Sequence, residues 1–138
     1  MKRKVLIITI CIAVMTAAGF IFFRPMPLVA SPSDVVVTRV HYNWRDITDG
    51  VDKEMLLEIL SRYNTRRSFE NPFPSFVADT VWDIGIVGYG GFVGYRGSVN
   101  IDLGTHAIRY RSASDRIVRR VINPQALMDE LSAMILGD

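Results

Sequence analysis

Residues 81–112, VWDIGIVGYGGFVGYRGSVNIDLGTHAIRYRS, decide the fold of this chain. Trp82, Ile84 and Ile86 alternate with smaller or polar residues, as do Val99 and Ile101 and then Ile108 and Tyr110. A period of two marks a strand with one buried face. Gly90-Gly91 is a favoured two-residue hairpin turn and sets Trp82, Ile84 and Ile86 opposite Val99, Gly97 and Tyr95. Gly104-Thr105, with glycine first as a type II′ turn requires, sets Ile101 and Val99 opposite Ile108 and Tyr110. Both turns select the same apolar face, so the glycines are read as turn and bulge residues. Their spacing also fits neither Gly-x-Gly-x-x-Gly nor the phosphate-loop pattern.

Upstream, VVVTRVHYNW, residues 35–44, is β-branched and aromatic and predicts a first strand with Val36, Thr38, Val40, Tyr42 and Trp44 on one side of the pleat. Asp49 or Asp52 can cap a helix in which Met55, Leu56, Ile59, Leu60 and Tyr63 recur at three- and four-residue spacing. Downstream, a strand over residues 116–122 returns through SASD. Asn123-Pro124 then starts a last helix with the stripe Leu127, Leu131, Met134 and Ile135. The expected fold class is α+β over residues 35–138, in the order β-α-β-β-β-β-α: an antiparallel sheet with two helices on one face.

Residues 5–23, VLIITICIAVMTAAGFIFF, reach roughly 28 Å as a helix, close to the ~30 Å hydrocarbon core of a bilayer. Cleavage at Ala17-Ala18-Gly19 would leave Phe20, Ile21, Phe22 and Phe23 as a greasy new terminus, and the bulky Ile10 before Cys11 disfavours lipidation. The expectation is a retained anchor inserted in the lipid bilayer. Lys2, Arg3 and Lys4 place residues 1–4 in the cytoplasm and the rest outside, in a cell-membrane protein that spans once. Residues 24–34, with three prolines in PMPLVASPSD, are expected as an extended tether. Residues 25–138 carry twelve basic against fourteen acidic side chains, a net charge of −2 that removes the electrostatic case for nucleic acid. The sole cysteine, Cys11, lies in the anchor, so the outer domain holds its core without disulfides.

The predicted first strand, the segment MLLEILSRYNTRRSFENPFPSF, the alternating WDIGIV and the ending VINPQALMDELSAMI together resemble the small YhfM-like extracytoplasmic domains of bacterial membrane-anchored proteins and lipoproteins. The resemblance covers most of residues 35–136. It implies an extracytoplasmic α+β domain and brings no catalytic residue with it.

Chemistry has few handles. His41 and His106 fall in different predicted strands with no Cys beside them, where zinc wants three or four converging ligands, so neither metal nor cofactor is expected. No serine sits in a Gly-x-Ser-x-Gly elbow. Arginine is the unusual feature: eleven follow residue 24, against the single Lys53. Arg96, Arg109 and Arg111 fall on the polar face of the predicted hairpins, with Arg109 and Arg111 opposite Asn100 and Ser98, and Arg116, Arg119 and Arg120 follow in the next strand. Arginine takes carboxylate and phosphate bidentately. Arg96, Arg109, Arg111, Arg116 and Arg120 are therefore the candidate site for an anionic ligand or acidic partner, set against the plainer reading of a solvated face with Asp83, Asp102 and Asp115 interleaved. The loop NTRRSFENPFPSF, residues 64–76, offers Phe69, Phe73 and Phe76 as a candidate partner-binding segment, or as side chains folded back on the core rim. The leading expectation is a non-enzymatic binding domain at the cell surface. A small carboxylate-based hydrolase or transferase, and an immunity- or inhibitor-like protein that sequesters an extracellular peptide or enzyme, are the alternatives.

Overall fold

The computed structural model describes residues 2–68, 80–92, 95–104, 108–112 and 118–137. Along the chain come helix α1 (Lys2–Phe22), strand β1 (Met26–Pro27), a 3-10 turn (Pro32–Asp34), β2 (Val35–Tyr42), β3 (Arg45–Asp46) and helix α2 (Lys53–Ser61). They are followed by β4 (Asn64–Arg67), β5 (Thr80–Phe92), β6 (Tyr95–Gly104), β7 (Ile108–Ser112), β8 (Val118–Val121) and helix α3 (Pro124–Leu136). Among the described residues the strands form one sheet in the order β1-β4-β8-β7-β6-β5-β2-β3, antiparallel throughout. The fold is α+β. Leu56 and Leu60 of α2 and Leu127 and Leu131 of α3 share one core with Trp82, Ile84, Ile86, Val99, Ile101 and Leu103, which stacks both helices on the same face. An Arg62–Glu130 ion pair of 2.9 Å ties the end of α2 to α3.

Both hairpin registers differ from those expected of the glycine pairs. β5 runs on through Gly90 and Gly91 to Phe92, which pairs with Tyr95; the two glycines fall in an irregularity of the ladder after Tyr89. Trp82 consequently pairs with Leu103, Ile84 with Ile101 and Ile86 with Val99, a shift of four residues. The longer ladder sets large apolar side chains against each other, where a tight turn at Gly90-Gly91 would have set Ile84 against Gly97. On β6 and β7, Ile101 pairs with Tyr110 and Leu103 with Ile108, a shift of two. Both shifts are even, so every residue keeps its face.

β2 corrects the simple alternation expected for residues 35–44. Its ladder with β5 slips between Val37 and Arg39, leaving Thr38 as the extra residue, and the Thr38 hydroxyl donates to the Gly85 carbonyl at 3.1 Å. The bulge lets Val35 and Val37 face the core before it and Val40 after it, while Val36 is 65% exposed. Trp44 leaves the strand altogether. It forms with Asn43 a two-residue turn closed by the Tyr42–Arg45 pair, with φ of 47° and 67°, the signs of a type I′ hairpin. Left-handed backbone is costly for a bulky side chain. Trp44→Gly is therefore expected to stabilise the protein by about 0.5–1 kcal/mol despite the entropy a glycine adds to the unfolded chain. A lowered denaturation midpoint would contradict this.

Helix boundaries follow the expected chemistry with two changes. Asp52, rather than Asp49, caps α2, accepting from the amides of Glu54 and Met55 at 3.0 Å each. Leu57 is buried in place of Met55, which is 49% exposed. At α3, Pro124 occupies the first turn as expected, but Asn123 has left-handed backbone and makes no side-chain cap.

The expected tether over residues 24–34 is instead built into the domain. β1 pairs with β4, matching Met26 with Thr65, and the Leu28 amide donates to the Tyr63 carbonyl at 2.9 Å. Leu28 and Val29 belong to the core, where their apolar side chains escape the water that a tether would expose them to. β4 likewise claims the first four residues of the expected 64–76 loop, pairing with β8. Phe69, Phe73, Phe76, His106 and Arg116 lie outside the described residues. α1 is long and apolar enough to cross a membrane, and none of its apolar window is buried within the protein.

Candidate functional site: a charged rung across the outer face

Because the helices cover one face, alternation sends the polar residues of the long strands to the other. There the register lines up one continuous rung: Asp46 of β3, His41 of β2, Asp83 of β5, Asp102 of β6, Arg109 of β7, Arg120 of β8 and Arg66 of β4. The charges are segregated. Carboxylates and the histidine occupy one half, and three arginines on three adjacent strands occupy the other. A neighbouring rung runs Arg39, Gly85, Asn100, Arg111 and Val118, of which Val118 is buried.

The acidic half satisfies itself. Asp83 accepts from the Arg39 guanidinium at 2.9 Å, which also reaches the Asn100 side-chain oxygen at 3.5 Å. His41 lies between two carboxylates, its Nδ1 3.6 Å from Asp83 and its Nε2 3.9 Å from Asp46. Thr48 holds Asp46: its hydroxyl donates to Oδ1 at 2.5 Å and its amide to the same oxygen at 2.9 Å. Those bonds, more than the nearby His41 and Arg39, keep the Asp46 carboxyl below its ordinary value of 3.8. A lowered folded-state value means that the stabilisation is present above the unfolded value and fades as pH falls through the folded one. Thr48→Val removes the hydroxyl but keeps the amide, so the Asp46 midpoint, followed by NMR, is expected to rise part of the way toward 3.8. An unmoved midpoint would show that the hydroxyl does not set it.

The basic half brings like charges together. Arg120 faces Arg66 on one side and Arg109 on the other, and like charges directly opposite on neighbouring strands are unfavourable. Arg66 and Arg120 are exposed.

Of the residues singled out in the sequence, Arg109, Arg111 and Arg120 come together on adjacent strands, with Arg109 opposite Asp102 and Arg111 opposite Asn100. Arg96 does not join them. It pairs with Tyr89, six residues along β6 from Asp102, roughly 20 Å away. Arg66 is the member that sequence reasoning passed over, because it was assigned to the Phe-Pro loop; the adjacent basic pair Arg66-Arg67 was the available signal. On the inner side of the same edge, Arg119 is largely buried with a guanidinium nitrogen 2.8 Å from the Met26 sulfur.

Among the described residues, two concavities lie elsewhere. One, of about 490 Å³, sits between the start of α3 and β5 and is lined by Trp82, Gln125 and Asp129; the buried Trp82 indole N–H has no hydrogen-bond partner there. The other, of about 420 Å³, lies between the 3-10 turn, β2 and α2. Among the described residues no three His, Cys, Asp or Glu side chains converge as a metal ion would need. Comparison with protein families, with curated proteins and with solved structures finds no match to this chain.

Proposed function

We propose that this chain is a single-pass membrane protein whose extracytoplasmic domain is a non-enzymatic binding module, recognising a carboxylate- or phosphate-bearing ligand with the arginine end of its outer sheet face. The observation that carries the reading is the alignment of Arg66, Arg120 and Arg109 on three neighbouring strands, with Arg111 beside Arg109 one rung along. Strands about 4.8 Å apart place the three backbone positions within roughly 10 Å, a spacing suited to several bidentate contacts with one anionic group or a short run of them. The basic residues Lys2, Arg3 and Lys4 ahead of the apolar helix support a cytoplasmic N-terminus. A carboxylate-based enzyme is less well supported, because Asp83 is held by Arg39 and its neighbouring acids Asp46 and Asp102 line up along a sheet face rather than in a cleft.

The test uses the full chain in nanodiscs of neutral lipid, applied to immobilised polyglutamate. Wild type should be retained at low salt and released as salt rises, since exposed charges are screened over about 8 Å at physiological ionic strength. Arg109→Gln with Arg111→Gln should weaken retention at least about tenfold while leaving the melting temperature nearly unchanged. Equal retention of both proteins would refute the reading. For the topology, a reporter fused after Asp138 should be active only outside the cytoplasm, with the protein staying in membranes through a high-salt wash; a shorter soluble product would identify α1 as a cleaved signal.

A further inference from the structure

We infer that the anion bound at the basic edge is the headgroup phosphate of the bilayer that α1 enters, so that the domain lies clamped against its own membrane; this rests on the anion-binding reading and narrows it to one ligand. The position of the edge carries the argument. α1 ends at Phe22 and β1 begins at Met26, four residues on, a reach of at most about 14 Å. β1 is the outermost strand, with β4 and β8 next to it, so the exit of the helix fixes which end of the sheet faces the bilayer. The contact is direct as well: the Arg67 guanidinium lies 3.9 Å from the centroid of the Phe22 ring. That places a β4 side chain at the last turn of an apolar helix, the depth at which headgroups begin.

Arg66 precedes Arg67 in β4, so its side chain lies on the opposite, outer face of the same edge, and Arg120 is its direct partner on β8, one strand spacing of about 4.8 Å away. Asp46, at the other end of the rung, is six spacings from Arg66, roughly 29 Å. The rung therefore points its positive end at the bilayer and its negative end away, and the carboxylates stand beyond the ~8 Å over which a charged surface is felt at physiological salt. Guanidinium groups bind phosphate bidentately.

The experiment compares backbone amide hydrogen exchange of the full chain in nanodiscs of phosphatidylcholine with and without about 30% phosphatidylglycerol. The amides of β4 and β8 should gain at least fivefold protection with the anionic lipid, the gain vanishing in 1 M salt, whereas the β2–β3 hairpin at the far edge should not change. Arg66→Gln with Arg120→Gln should abolish the gain, each arginine near a charged surface being worth about a factor of five. Equal protection in both lipids, or an equal change at the far hairpin, would overturn the assignment. Two further arms in neutral nanodiscs separate the sources. If polyglutamate or millimolar inorganic phosphate protects β4 and β8 where phosphatidylglycerol does not, the lipid is wrong and the anion site stands. If none of the three has an effect, both readings fall.

Discussion

Leu28→Ala is expected to destabilise the protein by about 2–5 kcal/mol, the cost of truncating a fully enclosed leucine. Leu28 is 0% exposed and sits in the main core beside Val29, only six residues after the apolar helix ends. Had residues 24–34 been an extended proline-rich tether, the same substitution would be silent. Chemical denaturation of the full chain in detergent therefore distinguishes the two arrangements, and a midpoint within error of wild type would restore the tether. Pro27→Ala, at the adjacent position, serves as a comparison because Pro27 is exposed and its change should cost far less. The consequence is functional. A domain on a free tether samples many orientations relative to α1, while one whose first strand starts four residues from the helix is held close to it.

What the sequence disclosed and what it hid follow from the same physics. Long strands and helices announce themselves through period, which is why Trp82, Ile84, Ile86, Val99 and Ile101 were assigned to one face and found there. Register was less accessible, because a hairpin can slip by two or four residues without moving any side chain to the wrong face. Only the match of large side chains across the ladder decides it. β1, β3 and β4 are short, of two, two and four residues, and β4 reads NTRR; strands so short or so polar carry no apolar alternation to detect. The bulge at Thr38 defeats alternation outright by burying Val37 and Val40 on one face with two residues between them. As for the candidate site, the strand pattern was enough to gather Arg109 and Arg111. Arg66 could be placed beside them only once β4 was known to pair with β8.

Gly88→Ala should lower stability by about 1–3 kcal/mol, and Gly88→Val by more, through crowding that the surrounding backbone has no room to relieve. A β-carbon built on Gly88 would come within 2.7 Å of Val35 Cγ1 and 2.9 Å of Val35 Cα, and it would press on the Asp34 carbonyl as well. Two of those three neighbours are backbone, at the point where the 3-10 turn passes into β2, so rotamer changes alone cannot clear the clash. Gly50→Ala is the control, since its nearest contact would be the Ile47 carbonyl at an ordinary 3.7 Å. Equal denaturation midpoints for the two variants would show that β2 does not approach β5 as closely as described. The position also bears on the outer face. Gly88 pairs with Val35, and with that pair as its start the ladder runs through the Thr38 bulge to set His41 against Asp83. A crowded Gly88 that pushed β2 along by one residue would exchange its inner and outer sides. His41 would leave the carboxylate of Asp83 while keeping its hairpin partner Asp46, whereas Arg66, Arg109 and Arg120, on strands that Gly88 does not touch, would keep their alignment. Under Gly88→Ala the His41 resonances should therefore shift in NMR spectra while attachment through the basic edge persists in the folded fraction. Loss of both together would mean that the sheet responds as one unit and that its two charged halves cannot be perturbed separately.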